Sequence, residues 1–540
     1  MLGQMMDLPL LLSNQIEFAA KFHPSVECVT RTVEGPIHRS NYGEIHRRSK
    51  KLANALAAMG VKAGDRVATI AWNTHRHLEL YFAVSGMGAI LHTINPRLPP
   101  DQLKYVVGHA EDTALFFDTT FTKLAQLLAA SGSSIKSYVA MTDDAHRPAD
   151  FEAAQAYESL IADASEDFAW PQLDENTASS LCYTSGTTAE PKGVLYSHRS
   201  TVLHSYAVCM ADTLAISAKS VTLPIVPMFH VNAWGVPYAA VMSGSKLVFP
   251  GPGMDGNSLI ELIETEKVTS LLGVPTVWMG LLAAARAAGK RFDTVDTVTI
   301  GGSAVPPSMI EAFEKEHGAR VIHAWGMTET SPLGTANVLL PKHADLSEAE
   351  RRQIEIKQGR PIFGVDLRIV DDAGKVLAHD GETSGHLQIK GPWVASSYFK
   401  READANHVDG WFYTGDIATI DADGYMHITD RSKDVIKSGG EWVSSIGVEN
   451  AAMRHPKVAQ AAVIGVPHPK WQERPLLIVV KAPDQEVTKE ELLEFLGQHL
   501  TKWWLPNAVE FVDALPLGAT GKVLKRKLRE QYADYALPAE

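Results

Sequence analysis

From about residue 40 to residue 330, short runs of aliphatic and β-branched residues alternate with longer stretches whose apolar positions recur every three or four residues. "RVATIAW" (66–72), "ALFFD" (114–118), "SYVAM" (137–141), "KLVFP" (246–250), "VTSLLGVP" (268–275) and "TVTIGGS" (297–303) read as buried strands. Amphipathic runs such as "NSLIELIETE" (257–266) read as the helices between them. This alternation predicts layered α/β architecture, with helices covering the sheet faces. After about residue 360 the texture changes. "VDLRIVDD", "GHLQIKG" and "YMHITD" are short strands, and "DADGY" (421–425) has the chemistry of a hairpin turn; together they predict a small β-barrel or meander. From about 434 the pattern is α+β, with a helix near 447–454, strands "AAVIGV" and "LLIVVK", a helix "KEELLEFLGQHL" and a basic last helix. The expected division is a large N-terminal domain (1–432) of layered α/β sheets plus a small β-barrel, then a small α+β domain (433–540), joined near "DRSKD" (430–434).

Composition narrows the partners. A chain of 540 residues should hold more than one domain. It is 45% hydrophobic and 21% charged, as a soluble globular enzyme is. The formal charge of −13 argues against nucleic acid or anionic lipid as main partner, since both demand a basic surface. Cys28, Cys182 and Cys209 are far apart and cannot all pair, which points to a reducing, cytoplasmic setting. The opening "MLGQMMDLPLLL" lacks a basic n-region and its apolar run is too short for a signal peptide. Ser220 to Ser245 contains no Asp, Glu, Lys or Arg, but Pro224, Pro227, His230, Asn232 and Pro237 argue against a membrane helix. A buried pocket wall is the expectation there.

The densest candidate chemistry is "YTSGTTAEPKG" (183–193). Glycine lets backbone amides approach phosphate oxygens, hydroxyls donate further hydrogen bonds, and a lysine adds charge. Thr184, Ser185, Gly186, Thr187, Thr188 and Lys192 are therefore candidates for phosphate binding. The stretch is not a Walker loop, and a hydroxyl-rich turn between the strands "SSLCYT" and "GVLYS" is the plain alternative. "GPGMDG" (251–256) matches G-x-G-x-x-G, but Pro252 stiffens it and no acidic residue closes the next strand, so an ordinary βα turn is expected. A dehydrogenase reading would rest on this match alone. Other candidates are scattered: His230 and Trp234 in "PMFHVNAWG", the strand end "GGSAVP" (301–306), "AWGMTETSP" (324–332), "GWFYTGD" (410–416), "DRSKDVIKSGGEW" (430–442) and "GATGK" (518–522). Each taken singly has a structural reading: Glu329 as a helix-start carboxylate, Asp416 as a turn cap, Trp325 as core, Lys522 as the start of a solvated basic face.

Taken in order, the hydroxyl-rich loop, "AWGMTET", "YTGD", "DRSKD" and the late "GK" resemble the adenylate-forming superfamily of acyl-CoA synthetases, luciferases and peptide-synthetase adenylation domains. The resemblance covers nearly the whole chain. "VLHTINPRL", "VPMFHVNAWG", "IKSGGEWVSS" and "GVPHPKWQERPL" resemble the branch of medium- and long-chain fatty acyl-CoA synthetases and 3-methylmercaptopropionate-CoA ligases. The resemblance implies ATP, Mg²⁺ and coenzyme A as cofactors, a small carboxylic acid as substrate, a homodimer and a mobile C-terminal domain. It implies that Thr184–Thr188 and Lys192 hold the β- and γ-phosphates, that Thr328 bonds the α-phosphate, and that Glu329, with Thr184, ligates Mg²⁺. Trp325, with Gly326 and Met327, would stack on adenine, with Gly301, Gly302 and Ser303 along its edge. Asp416 and Arg431 would bind the ribose, and Lys522 would serve adenylation. Lys433 would be the hinge, and Lys437, Ser438, Gly439, Gly440, Glu441 and Trp442 would line the thiol channel. His230, Val231, Trp234 and Gly235 would form the acyl entrance. The chain departs from the family at Ala189, where glycine is usual. Transfer to a carrier protein, or a catalytically silent nucleotide binder, are the alternatives that remain open.

Overall fold

The computed structural model describes residues 1–540 except 2, 185–189, 402–405, 439–440, 518–522 and 538–540, and the side chain of Glu441. The chain divides into two compact units; the first comprises Met1–Thr184, Pro191–Asp366 and Lys390–Gly410.

Two sheets organise the first unit. The seven-stranded sheet runs Ala154–Ala156, Ser137–Ala140, Asp112–Phe117, Arg66–Ile70, Ile90–Thr93, Ala178–Thr184, Lys192–Ser197 in spatial order. It is parallel except for its last strand, which turns back on Ala178–Thr184. The nine-stranded sheet has a parallel centre of Arg320–Gly326, Thr297–Ile300, Ser270–Gly273, Val221–Pro224, Lys246–Phe249 and Glu27–Arg31. The central strands bury both faces, which is why they read as continuous apolar runs. They are shorter than the sequence runs: "VTSLLGVP" yields Ser270–Gly273, because Pro275 opens the helix Pro275–Ala288 and cannot continue a strand.

The strand order has a consequence for function. Val221–Pro224 lies between Lys246–Phe249 and Ser270–Gly273, so the chain leaves it in one direction and returns on its other side. Such a reversal opens a crevice at the carboxyl ends of the strands, where open α/β sheets bind ligands. The segments leaving those ends here are "IVPMFHVNAWG", "GGS" and "MTET".

The uncharged stretch 220–245 is the strand Val221–Pro224, a turn through His230–Gly235 and the helix Val236–Ser243, and it is largely buried. Among the described residues no helix is long and apolar enough to cross a membrane. "GPGMDG" is an ordinary βα turn. A Cβ on Gly251 would lie 2.1 Å from the Arg31 carbonyl oxygen, one on Gly253 2.7 Å from Arg31 Nη1, and one on Gly256 2.5 Å from Ala284. These glycines make room for the protein's own neighbouring segments, and Asp255 caps the following helix by accepting from Ser258 N.

The second unit includes Leu367–Ile389 and Trp411–Glu540. Its antiparallel part pairs Gly385–Lys390 with Trp411–Ile420, and the latter with Met426–Arg431. "DADGY" makes the hairpin between the last two: Asp421 Oδ1 accepts from Asp423 N and Tyr425 N, and Gly424 takes φ +84°. The remainder is a sheet of Glu441–Val443, Ile436–Ser438, Gln472–Lys481 and Val458–His468, with Ala508–Phe511 added in parallel. The helices Ser445–Ala452, Lys489–Gly497 and Lys525–Gln531 accompany it, as the α+β pattern predicted.

Candidate active site

In the first unit the hairpin register sets Thr184 directly opposite Lys192. The phosphate-loop candidates Ser185, Gly186, Thr187 and Thr188, with Ala189, lie outside the described residues. Their two flanks are nonetheless fixed as the ends of one antiparallel pair, and both are half-buried.

The strand Arg320–Gly326 delivers Trp325, 8% exposed, and then the turn Thr328–Thr330. Gly326 is required there, since a Cβ would stand 1.8 Å from the Pro332 carbonyl oxygen. Thr328 and Glu329 are both buried, and Glu329 is only 6% exposed. A buried carboxylate needs strong partners. Glu329 Oε1 accepts from the Tyr398 hydroxyl at 2.6 Å. The backbone of the turn is held from two directions: Ala395 N donates to Glu329 O at 2.8 Å, and the Tyr196 hydroxyl donates to Thr328 O at 2.7 Å. Lys192 Nζ stands 4.4 Å from the centre of the same Tyr398 ring.

Gly301, Gly302 and Ser303 follow the neighbouring strand Thr297–Ile300, whose register pairs Ile300 with His323. Gly302 adopts φ +83° and, with Ser303, is exposed. A Cβ on Gly301 would lie 2.9 Å from the Ala324 carbonyl oxygen and 3.2 Å from the Trp234 indole. The strand-end turn at Gly301 and the Trp234 indole are therefore neighbours.

The segment from Val231 to Gly235 has an unusual backbone. Val231, Asn232, Ala233 and Trp234 all take positive φ, between +46° and +58°, followed by Gly235 at +71°. A left-handed turn of non-glycine residues costs about 1–2 kcal/mol per residue. Asn232 pins it: Nδ2 donates to Ser180 Oγ at 3.0 Å, and Oδ1 accepts from Thr93 Oγ1 at 3.3 Å and Cys182 Sγ at 3.2 Å. Its partners lie on the seven-stranded sheet, two of them on the strand that ends at Thr184. His230, half-buried, enters this turn. Behind it, burial holds His204 neutral, its pKa lowered to about 3. His204 Nε2 accepts from Leu333 N at 3.1 Å, and its ring fills the space a Cβ on Gly235 would need.

The second unit holds a separate group. The register of Trp411–Ile420 on Met426–Arg431 places Asp416 across from Arg431, and Arg431 Nε meets Asp416 Oδ1 at 2.8 Å. Asp416 is 2% exposed, and the pair sets a guanidinium against its buried carboxylate. Lys433 and Lys437 are exposed, and Ser438 is buried, accepting from Arg474 Nη1 at 3.1 Å. Lys437 Nζ lies 5.9 Å from the Trp442 ring centre. Gly439, Gly440 and Lys522 lie outside the described residues, as does the Glu441 side chain.

Residues 16–399 match the AMP-binding enzyme family, and residues 447–522 match the AMP-binding enzyme C-terminal domain. The chain belongs to the AMP-binding enzyme family. It is 53% identical to 3-methylmercaptopropionyl-CoA ligase of Ruegeria lacuscaerulensis over 99% of each chain. It is 50% identical to medium-chain-fatty-acid–CoA ligase of Ectopseudomonas oleovorans over 99% of this chain and 98% of that one. Its fold superposes on the crystal structure of ATP-bound MatB from Rhodopseudomonas palustris with a TM-score of 0.81, at 26% identity, covering 97% of this chain and 99% of that one. The α/β class with a small C-terminal part, expected from the alternation of strands and helices, is the fold of this AMP-binding enzyme.

The donor set of this AMP-binding enzyme suits a hard cation. Glu329, Thr328 and Thr184 offer only oxygen. Among the described residues no group of three His, Cys, Asp or Glu could hold a metal alone. One buried carboxylate with hydroxyl oxygens in the same unit fits Mg²⁺, which takes few protein ligands and is completed by phosphates and water. Sequence reasoning missed Tyr398, Tyr196, His204 and the pinning role of Asn232. Asn232 stood inside a quoted motif; "SSYFK" around Tyr398 carries no charge pattern or glycine to mark it.

Proposed function

We propose that this AMP-binding enzyme activates 3-methylmercaptopropionate or a medium-chain fatty acid and loads it onto coenzyme A. The reaction class is that of an AMP-forming acyl-CoA ligase. A carboxylate oxygen attacks the α-phosphorus of ATP and pyrophosphate leaves; the thiolate of coenzyme A then attacks the acyl carbonyl and AMP leaves. The observation that supports the site best is that Lys192 and Glu329, far apart in sequence, meet on one buried tyrosine.

The first step brings an anion to a polyanion, so the protein's task is charge compensation and in-line placement more than proton transfer. Lys192 and the loop from Thr184 through Thr188 hold the β- and γ-phosphates. Thr328 bonds the α-phosphate. Glu329, with Thr184, holds Mg²⁺, which when bound supplies positive charge to the phosphate oxygens. Trp325, Gly326 and Met327 carry the adenine, with Gly301, Gly302 and Ser303 at its edge. Asp416, oriented by Arg431, takes the ribose hydroxyls. His230, Val231, Trp234 and Gly235 bound the acyl entrance. Lys522 neutralises charge in adenylation only. The domain from 433 onward then turns about Lys433, so that Lys437–Trp442 lines the path of the thiol. We further propose a homodimer in the cytoplasm, a setting in keeping with three free cysteines.

The test is a panel of acids from C2 to C18 plus 3-methylmercaptopropionate, assayed for CoA-dependent AMP release. The expected result is highest kcat/KM for 3-methylmercaptopropionate or a C6–C10 acid. AMP release that requires an acyl-carrier protein in place of coenzyme A would support the carrier alternative. Absence of acid-dependent AMP release with either acceptor would overturn the reading.

A further inference from the structure

The Tyr398 side chain is 4% exposed and carries a hydroxyl that burial obliges it to pair. It pairs with Glu329 Oε1 at 2.6 Å, while its ring face receives Lys192 Nζ at 4.4 Å. The two groups use different parts of one rigid ring, the carboxylate its edge and the ammonium its face. The surrounding backbone repeats the arrangement. Ala395 N donates to Glu329 O and Phe399 N donates to Gly193 O, both at 2.8 Å, so one short segment is stitched both to the metal-carboxylate turn and to the strand carrying Lys192. The near end is anchored too: Trp393 Nε1 donates to Leu333 O at 3.0 Å, and Ser331 Oγ donates to Trp393 O at 2.7 Å.

We infer that Tyr398 is a positioning residue that sets Lys192 and Glu329 relative to each other, and so couples phosphate binding to metal binding in the adenylation step. The inference rests on the roles proposed above for Lys192 and Glu329. Three physical effects support it. A phenol bonded to one carboxylate oxygen stops the carboxylate rotating and presents it in one orientation to a cation, as outer-shell partners of metal ligands do. An aromatic face attracts an ammonium and so fixes where that charge stands. A cation over the ring also makes the phenol a stronger donor, so displacement of Lys192 is felt at Glu329 through a single ring.

Two variants separate the two contacts. Tyr398→Phe keeps the ring and removes the hydroxyl; Tyr398→Met fills the space without either. Three readouts apply: Mn²⁺ binding to the enzyme–ATP complex by electron paramagnetic resonance, ATP binding in EDTA by calorimetry, and thioester formation from pre-formed acyl-adenylate and coenzyme A. For Tyr398→Phe we expect Mn²⁺ affinity to fall about tenfold with metal-free ATP affinity unchanged. For Tyr398→Met both should fall, metal-free ATP binding by about fivefold. Thioester formation should stay within twofold of wild type in both, which a merely structural role would not give. Should Tyr398→Phe fail to fold, 3-fluorotyrosine at this position keeps the shape and strengthens the donor. It should shift Mn²⁺ affinity at least twofold with a smaller change in metal-free ATP binding. Unchanged Mn²⁺ affinity in Tyr398→Phe, or in a folded fluorotyrosine protein, overturns the inference, as does equal loss in both half-reactions. Glu329→Gln is the control. If it weakens Mn²⁺ binding while Tyr398→Phe does not, only the role of Tyr398 fails; if it too leaves Mn²⁺ binding unchanged, the metal assignment fails and the inference with it.

Discussion

At the scale of single residues, the site is built from side chains whose burial obliges them to be paired. Glu329 illustrates this: it is buried, bonded by a phenol, and its turn is tied by two further hydrogen bonds. Glu329→Gln retains an oxygen to accept from Tyr398 but removes the charge. ATP–pyrophosphate exchange at saturating Mg²⁺ should therefore fall at least a hundredfold, about 3 kcal/mol, with the melting temperature little changed. Near-normal exchange would remove Glu329 from the metal site. Asn232 makes a second case. Its amide holds a left-handed turn of four non-glycine residues against the strand leading to Thr184. Asn232→Ala should lower stability by about 1–3 kcal/mol, the usual range when buried partners are left unsatisfied. It should also raise the KM for the acid more than that for ATP, because the turn it releases bounds the proposed acyl entrance. Urea denaturation and steady-state kinetics read the two effects separately.

At the scale of elements, the strand ends carry the chemistry and their corners carry pH dependence. Asp118 closes the strand Asp112–Phe117 and accepts from Trp72 N at 2.6 Å, just past Arg66–Ile70. Burial pushes its carboxyl up to about 7, partly opposed by that backbone bond and by Arg76. The folded protein thus binds this proton more tightly than the unfolded chain, whose carboxyl titrates near the ordinary aspartate value of about 3.9. Stability contributed by the protonated form is full below about pH 4 and declines as pH rises towards 7, by about 2–4 kcal/mol over the window. Asp118→Asn holds the group neutral, so its stability should fall less steeply than wild type between pH 4 and 7 when unfolding is measured in urea. Equal slopes for the two proteins would show that Asp118 is ionised in the fold.

At the scale of the whole molecule, the proposal divides two half-reactions between two arrangements of the C-terminal domain. Lys522→Ala should nearly abolish acyl-adenylate formation while leaving thioester formation from pre-formed adenylate close to wild type. Lys433→Pro should do the reverse, because proline fixes φ near −65° at the proposed hinge. Single-turnover assays of each half-reaction distinguish these outcomes, which kcat alone merges. Equal damage to both steps in Lys522→Ala would refute the division of labour.

The sequence alone determined the class of fold. Buried parallel strands must be continuously apolar, and helices covering them must be amphipathic, so the alternation from 40 to 330 predicted the layering before any contact was known. It also put a turn between the strands "SSLCYT" and "GVLYS", and these strands do pair, with Thr184 opposite Lys192. Strand ends it overran wherever proline or glycine cut an apolar run short, as at Pro275. Tertiary structure alone decided three things. The strand order put the chain reversal at Val221–Pro224; the pairing of Asn232 with Ser180, Thr93 and Cys182 sustained the left-handed turn; and the segment 393–399 brought Tyr398 between Lys192 and Glu329. Each depends on residues distant in the chain meeting in space. A tyrosine's neighbours, unlike its hydrophobicity or the period at which it recurs, leave no mark on the residues beside it in sequence.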